Sequence, residues 1–245
     1  MPIHGWRKEV ESGVCTVLLE VEGSPVISLA NYAVLLTGPP GKFFFGMDIR
    51  EIEALETVTA TRGQTAMVQD MLNELEATRS PIICAVDGEC FGGGLELVMA
   101  GHVVFATPES AFGLPEINLG TIPSFGGTQR LARIIGRNRA LHVSLTGRRF
   151  SARQAFDWGL VAELFPAEEP VSGAKSYARR VAALSRHAVG ALLTSTINGL
   201  DGPLSRGLSL ESAESSRLAG RQDLREGIRA FFEKRRPRFS PTTHE

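Results

Sequence analysis

The chain reads as an α/β protein: an α/β core over residues 1–190, then a helical C-terminal part over 191–245. Three observations predict this. Short apolar runs rich in β-branched residues alternate with runs of helical period up to Ala106, a pattern that pairs parallel strands through crossover helices. Nearly everything after Gly126 has helical rather than strand period. Hydrophobic residues make up 43% of the 245 residues, enough for one sizeable core.

Arg7–Glu11 and Val14–Val21 flank Ser12-Gly13 and read as a hairpin. Pro25–Ala30 and Tyr32–Leu36 are further apolar runs, and Gly38-Pro39-Pro40-Gly41 marks a turn. From Thr61 to Arg79 the period becomes helical, with Met67, Met71, Leu72 and Leu75 three and four residues apart. Pro81–Val86 and His102–Ala106 read as buried strands, with a glycine-rich segment and a helix, Gly92–Met99, between them. Ser151 suits the N-cap of a helix over Ala152–Trp158, and Gly159 its C-terminal stop. Ser172–Arg186, Ala188–Ser195 and Ser209–Arg235 complete the helical part. No repeat or low-complexity tract interrupts the pattern.

Charge is balanced, 26 basic against 27 acidic residues, which argues against a general nucleic-acid or acidic-membrane binder. Three cysteines, Cys15, Cys84 and Cys90, are an odd number without metal-ligand spacing; a reducing compartment and no metal site are expected. Met1–Val10 lacks an apolar core of the signal-peptide kind, and no apolar run approaches a membrane span. A cytoplasmic protein with no membrane partner is the expectation.

Three segments carry the chemistry. The first is Lys42-Phe43-Phe44-Phe45-Gly46-Met47-Asp48-Ile49, a strand end running into a tight turn. The second is Asp87-Gly88-Glu89-Cys90-Phe91-Gly92-Gly93-Gly94-Leu95-Glu96-Leu97. The third runs from Phe112 through Pro115-Glu116 and Gly120 to Pro123, then Gly126-Gly127-Thr128-Gln129-Arg130-Leu131. In the second, three glycines open a helix straight after a buried strand. The first amides of that helix have no partners within it and sit at its positive end, a place that favours an anion or a developing oxyanion. Glu96 follows among Leu95, Leu97, Val98 and Met99, where desolvation raises a carboxyl pKa toward a range useful for proton transfer. Glu116 sits likewise among apolar residues. Two such carboxyls flanking one oxyanion site form a workable acid–base device beside a carbonyl.

Plainer readings exist for each piece. A glycine triplet also serves tight helix–strand packing, Glu96 could answer the helix dipole, and Glu116 could pair with Arg130. Gly38-Pro39-Pro40-Gly41-Lys42 fails as a phosphate loop, because Leu36 occupies the position of the first glycine and Phe43 that of Ser/Thr. No G-x-S-x-G elbow exists for a serine hydrolase. Arg235-Arg236-Pro237-Arg238 reads as a solvated terminus or a phosphate contact rather than a nucleic-acid patch.

Together the three segments resemble the crotonase superfamily, the enoyl-CoA hydratase/isomerase family, from about Tyr32 to Phe239. Phe112–Leu131 is the most specific stretch, and Arg225–Arg235 is similar to the family's C-terminal helix. The resemblance implies a spiral of ββα units with a C-terminal helical region, assembled as a homotrimer or homohexamer. It implies that the amides of Met47 and Gly93 form an oxyanion hole for a thioester carbonyl, and that Glu96 and Glu116 hold water and move the proton. It implies that carbonyls of Phe44 and Phe45 contact CoA, that Gly46, Asp48, Gly92 and Gly120 also contact the substrate, and that Phe231 and Lys234 reach a neighbour's CoA. The substrate is then an acyl-CoA, with no cofactor beyond the CoA it carries. The presence of both glutamates favours a hydratase over relatives that keep only one; an isomerase, a decarboxylase of acyl thioesters and a non-catalytic acyl-CoA-binding protein are the alternatives. The chain departs from the family in one place: only Glu22–Asn31 separates Val21 from Tyr32, too short for the usual helix and CoA-covering loop. His102 also replaces a common acidic residue and reads as a packed strand-start histidine.

Overall fold

Strands of two sheets alternate along the chain, and that alternation builds the site. The computed structural model describes residues 7–11, 14–18, 33–39, 41–46, 50, 57–166 and 170–239. β1 (Arg7–Glu11) and β2 (Val14–Leu18) form the expected antiparallel hairpin. β2 then pairs in parallel with β3 (Ala33–Thr37). The connection between them, with the run Pro25–Ala30 and the shortened segment 22–31, lies outside the described residues.

From β3 onward the chain steps between sheets. β3, β5 (Ile82–Val86), β7 (Val103–Ala106) and β10 (Glu163–Leu164) extend the first sheet in the order β1-β2-β3-β5-β7-β10. β4 (Lys42–Phe44), β6 (Glu89–Phe91), β8 (Ala111–Gly113) and β9 (Phe150–Ser151) form the second. Helix α1 (Val58–Glu76) follows the first strand pair and α2 (Gly93–Met99) the second. This is the expected spiral of ββα units.

The period-2 pattern of the first sheet divides its side chains between two cores. Val34, Leu36, Ile82, Cys84 and Val86 face the main core with Leu72 and Leu75 of α1. Ala33, Leu35, Ile83, Ala85 and Phe105 face the other side, covered by Ala174 and Ala178 of α6 (Pro170–Ala182). A strand buried on both faces needs an uninterrupted apolar run, which is why Ile82–Val86 reads as one.

After β8 come a 3₁₀ turn (Glu116–Leu119) and helices α3 (Gly127–Ile135), α4 (Arg137–Ser144) and α5 (Ala152–Asp157). Ser151 caps α5 in a reciprocal capping box with Gln154. The helical end consists of α7 (Arg186–Gly199), α8 (Leu204–Leu218) and α9 (Gln222–Phe232). Residue 190, the boundary expected between core and helical part, falls inside α7. The run Ser209–Arg235 is two helices, because Gly220, with φ +77, ends the first. α1 also starts earlier than its apolar period suggests, since the Thr57 hydroxyl accepts a hydrogen bond from Ala60 N at 3.1 Å.

His102 keeps the role expected of it. Its Nδ1 accepts from Ile82 N at 2.8 Å and its Nε2 lies 3.0 Å from the carbonyl of Glu76, so Nε2 carries the proton. Burial lowers its pKa, in keeping with a neutral ring that bridges a strand and a helix end.

Candidate active site

The turn after β4 lies directly against the start of α2. A Cβ built on Gly46 would stand 2.7 Å from both the amide nitrogen and the Cα of Gly93. One on Gly94 would stand 1.8 Å from the Phe44 carbonyl oxygen, and one on Gly92 would stand 3.0 Å from that of Phe45. The glycine triplet therefore serves close approach of two backbones, and Gly92 has φ +54, which an L side chain rarely adopts. Gly93, whose amide is at the free end of α2, is thus brought beside the 44–46 segment. Met47 and Asp48 lie outside the described residues.

Glu96 sits in the first turn of α2 and is 1% exposed. Its Oε1 accepts hydrogen bonds from Phe125 N and Gly127 N, each at 2.8 Å. Burial raises its pKa from 4.5 to about 7; the two amides oppose the rise, and the nearby charge of Glu116 adds to it. Gly127 opens α3 against this carboxyl: a Cβ there would lie 2.8 Å from Oε1 and 2.7 Å from Cβ of Pro123.

Glu116 begins the 3₁₀ turn, and its Oε1 would be 3.2 Å from a Cβ on Gly92. Its Oε2 is buried and has no hydrogen-bond partner among the described residues. Burial raises its pKa as well. Glu116, the Gly92–Gly93 backbone and Glu96 thus surround one place: two carboxyls of raised pKa beside a helix terminus that can accept negative charge. That combination can hold a water between two bases while amides polarise a carbonyl.

Arg130 does not pair with Glu116. Its Nη2 lies 2.8 Å from Glu76 Oε2 and 2.7 Å from Asn73 Oδ1, and its Nη1 donates to the Phe125 carbonyl at 3.3 Å. Gln69 Nε2 donates to the Ser124 carbonyl at 2.6 Å. Gln69, Asn73 and Glu76 are part of the site's surroundings that sequence reading passed over. The signal was available: Gln69, Asn73 and Glu76 form a polar stripe on one face of α1, at i, i+4 and i+7.

The remaining predicted positions are Gly120, Phe45, Phe231 and Lys234. Gly120 is an exposed residue closing the 3₁₀ turn, with its amide donating to Glu116 and Ile117 carbonyls. Phe45 is half-exposed, its ring 5.9 Å from that of Phe91, over which Arg149 stacks at 4.7 Å. Phe231 is 79% exposed and borders an apolar cavity of about 520 Å³, walled only by residues between Ser185 and Phe239. Lys234, just beyond the end of α9, has φ +54. No residue of the Glu96 site lines the cavity that Phe231 borders. Arg235 of the basic tail is held by Glu226, at 2.7 and 3.0 Å.

The family model for enoyl-CoA hydratase/isomerase matches residues 11–242. The chain belongs to that family. A Mycobacterium bovis protein named "Probable enoyl-CoA hydratase echA8" is 34% identical over 238 residues, 97% of this chain and 90% of its own length. "Enoyl-CoA hydratase, mitochondrial" of Pongo abelii is 36% identical over 208 residues, 84% of this chain and 70% of its own. A crystal structure of enoyl-CoA hydratase from Bacillus anthracis superposes with a TM-score of 0.86 at 30% identity, covering 96% of this chain and 98% of that one. The enoyl-CoA hydratase/isomerase fold accounts for the alternation of sheets and for the helical end.

Proposed function

We propose that the protein is an enoyl-CoA hydratase, adding water across the double bond of a trans-2-enoyl-CoA thioester. The observation that carries this reading is the pair Glu96 and Glu116, both with raised pKa, facing the glycine-lined start of α2. In the mechanism, the Gly93 amide and that of Met47 donate to the thioester carbonyl and stabilise an enolate-like transition state. One such donor is worth about 3 kcal/mol of barrier. The two glutamates hold the attacking water, take its proton and deliver a proton to the α-carbon, contributing about 10²–10⁴-fold each. No cofactor enters beyond the CoA of the substrate.

The substrate contacts of Phe44, Phe45, Gly46, Asp48, Gly92 and Gly120 belong to the same reading, as do Phe231 and Lys234 reaching the CoA of a neighbouring subunit. Assembly as a trimer or hexamer is supported by the apolar surface of the helical end, where Leu200, Leu204 and Phe231 are more than three-quarters exposed in the single chain. No helix among the described residues is long and apolar enough to cross a membrane. We place the protein in the cytoplasm, which cell fractionation checks.

The test is loss of the enoyl-thioester absorbance of crotonyl-CoA. Wild type turns over, while Glu96→Gln and Glu116→Gln each fall by about 10²-fold or more. A wild type that binds acyl-CoA yet stays inert with several chain lengths would replace this reading with a binding role.

A further inference from the structure

We propose that Gln69 is a positioning residue for Glu96, acting through the Ser124–Phe125 peptide. The inference rests on the hydratase reading above for its catalytic consequence, but its geometry stands independently. A carbonyl can only accept, so the Gln69 amide nitrogen faces the Ser124 oxygen, at 2.6 Å. The same peptide unit presents its N–H, that of Phe125, to Glu96 Oε1 at 2.8 Å. One planar peptide thus carries a hydrogen bond at each end, and a donor on its oxygen polarises its N–H and strengthens the second bond.

The next peptide is fixed from the same helix. Arg130 donates to the Phe125 carbonyl at 3.3 Å while held by Asn73 and Glu76, one and two turns beyond Gln69 on α1. Arg130 Nη1 also stands 2.2 Å from where a Cβ on Gly126 would be, so the guanidinium packs flush against the turn. α1 therefore grips two successive carbonyls of a turn whose amides grip the carboxylate. Without the Gln69 bond the Ser124 carbonyl loses its anchor, and the Phe125 N–H that favours the ionised form of Glu96 and fixes its orientation is held less firmly.

The experiment compares wild type with Gln69→Met, which keeps the shape and removes the donor, and Gln69→Glu, which sets an acceptor against the Ser124 oxygen. Two readouts are taken: the pH dependence of kcat and KM for crotonyl-CoA, and the titration of Glu96 by ¹³C NMR of carboxyl-labelled glutamate, assigned with Glu96→Gln. Gln69→Met is expected to lower kcat about five- to tenfold with KM little changed, and to move the Glu96 midpoint to a pH higher by about 0.5. Gln69→Glu is expected to lose more on both. A Gln69→Met protein with wild-type kcat and an unmoved Glu96 titration overturns the proposal, whatever its melting temperature. An inert wild type would sink the hydratase reading alone, because the titration still decides the link between Gln69 and Glu96. Should Gln69→Met fail to fold, Gln69→Ala gives the same two readouts.

Discussion

Glu96 is a carboxyl buried to 1% exposure whose charge is answered by amides rather than by a cation in contact. Its pKa is raised from 4.5 to about 7. The folded state therefore binds a proton that the unfolded chain releases, so stability present below about pH 4.5 is lost as pH rises toward about 7. The loss is on the order of 3 kcal/mol. Glu96→Gln keeps an oxygen for the two amides and cannot ionise; urea unfolding across this window should show a flatter pH dependence than wild type. A variant as unstable at pH 8 relative to pH 4.5 as wild type would contradict the assignment. Gly127 offers a steric test at the same carboxyl. Gly127→Ala sets a methyl 2.8 Å from Oε1, and displacing a catalytic group by about 1 Å costs roughly 10²-fold. Steady-state kinetics should show that loss with the circular dichroism spectrum retained.

At the scale of elements, the site is a meeting of termini. The ends of β4 and β6, the start of α2 and the start of α3 converge, and α1 braces them from outside through Gln69 and Arg130. The ordinary stability of such elements comes from local chemistry that can be tested apart from catalysis. Ser151 and Gln154 satisfy each other's backbone donors at the head of α5, and losing such a cap costs about 1 kcal/mol. Ser151→Ala should lower the unfolding free energy measured in urea by that amount and leave kcat unchanged, since α5 carries neither carboxyl of the pair. Much of this level was legible: the hairpin, the buried strands and the capped helix follow from period, turn residues and side-chain oxygens. The single run Ser209–Arg235 was not, because its helical period continues past Gly220 and only the backbone there shows the break.

For the whole molecule, the question is how the helical end is fastened to the spiral. Arg79, at the turn between α1 and β5, donates to Thr194 on α7 at 3.2 Å and to the buried Glu214 on α8 at 2.9 Å. A Cβ on Gly190 would meet its Nε at 2.9 Å. Arg217 also pairs with Glu214. Arg79 holds the Glu214 carboxyl below its ordinary range, so the attachment is present at neutral pH and is lost as pH falls through that lowered value. Arg79→Ala should speed amide exchange across 186–218 at neutral pH, with the sheets protected as before. Light scattering is expected to report three or six times the 26.4 kDa chain. A monomer would leave Leu200, Leu204 and Phe231 uncovered in solution, an uncommon arrangement for so much apolar surface.

What the amino-acid sequence determined alone is the part governed by near neighbours. Alternation of period set the α/β class, the apolar flanks of Glu96 predicted its raised pKa, and the glycine triplet marked a helix start open to a ligand. What only the tertiary structure decided is the company each group keeps. Glu96 takes its amides from Phe125 and Gly127, Arg130 turns to Glu76 instead of Glu116, and Gln69 reaches the turn 55 residues onward. Such pairings depend on where two sheets and a helix cross in space, and residue spacing along the chain carries no measure of that distance.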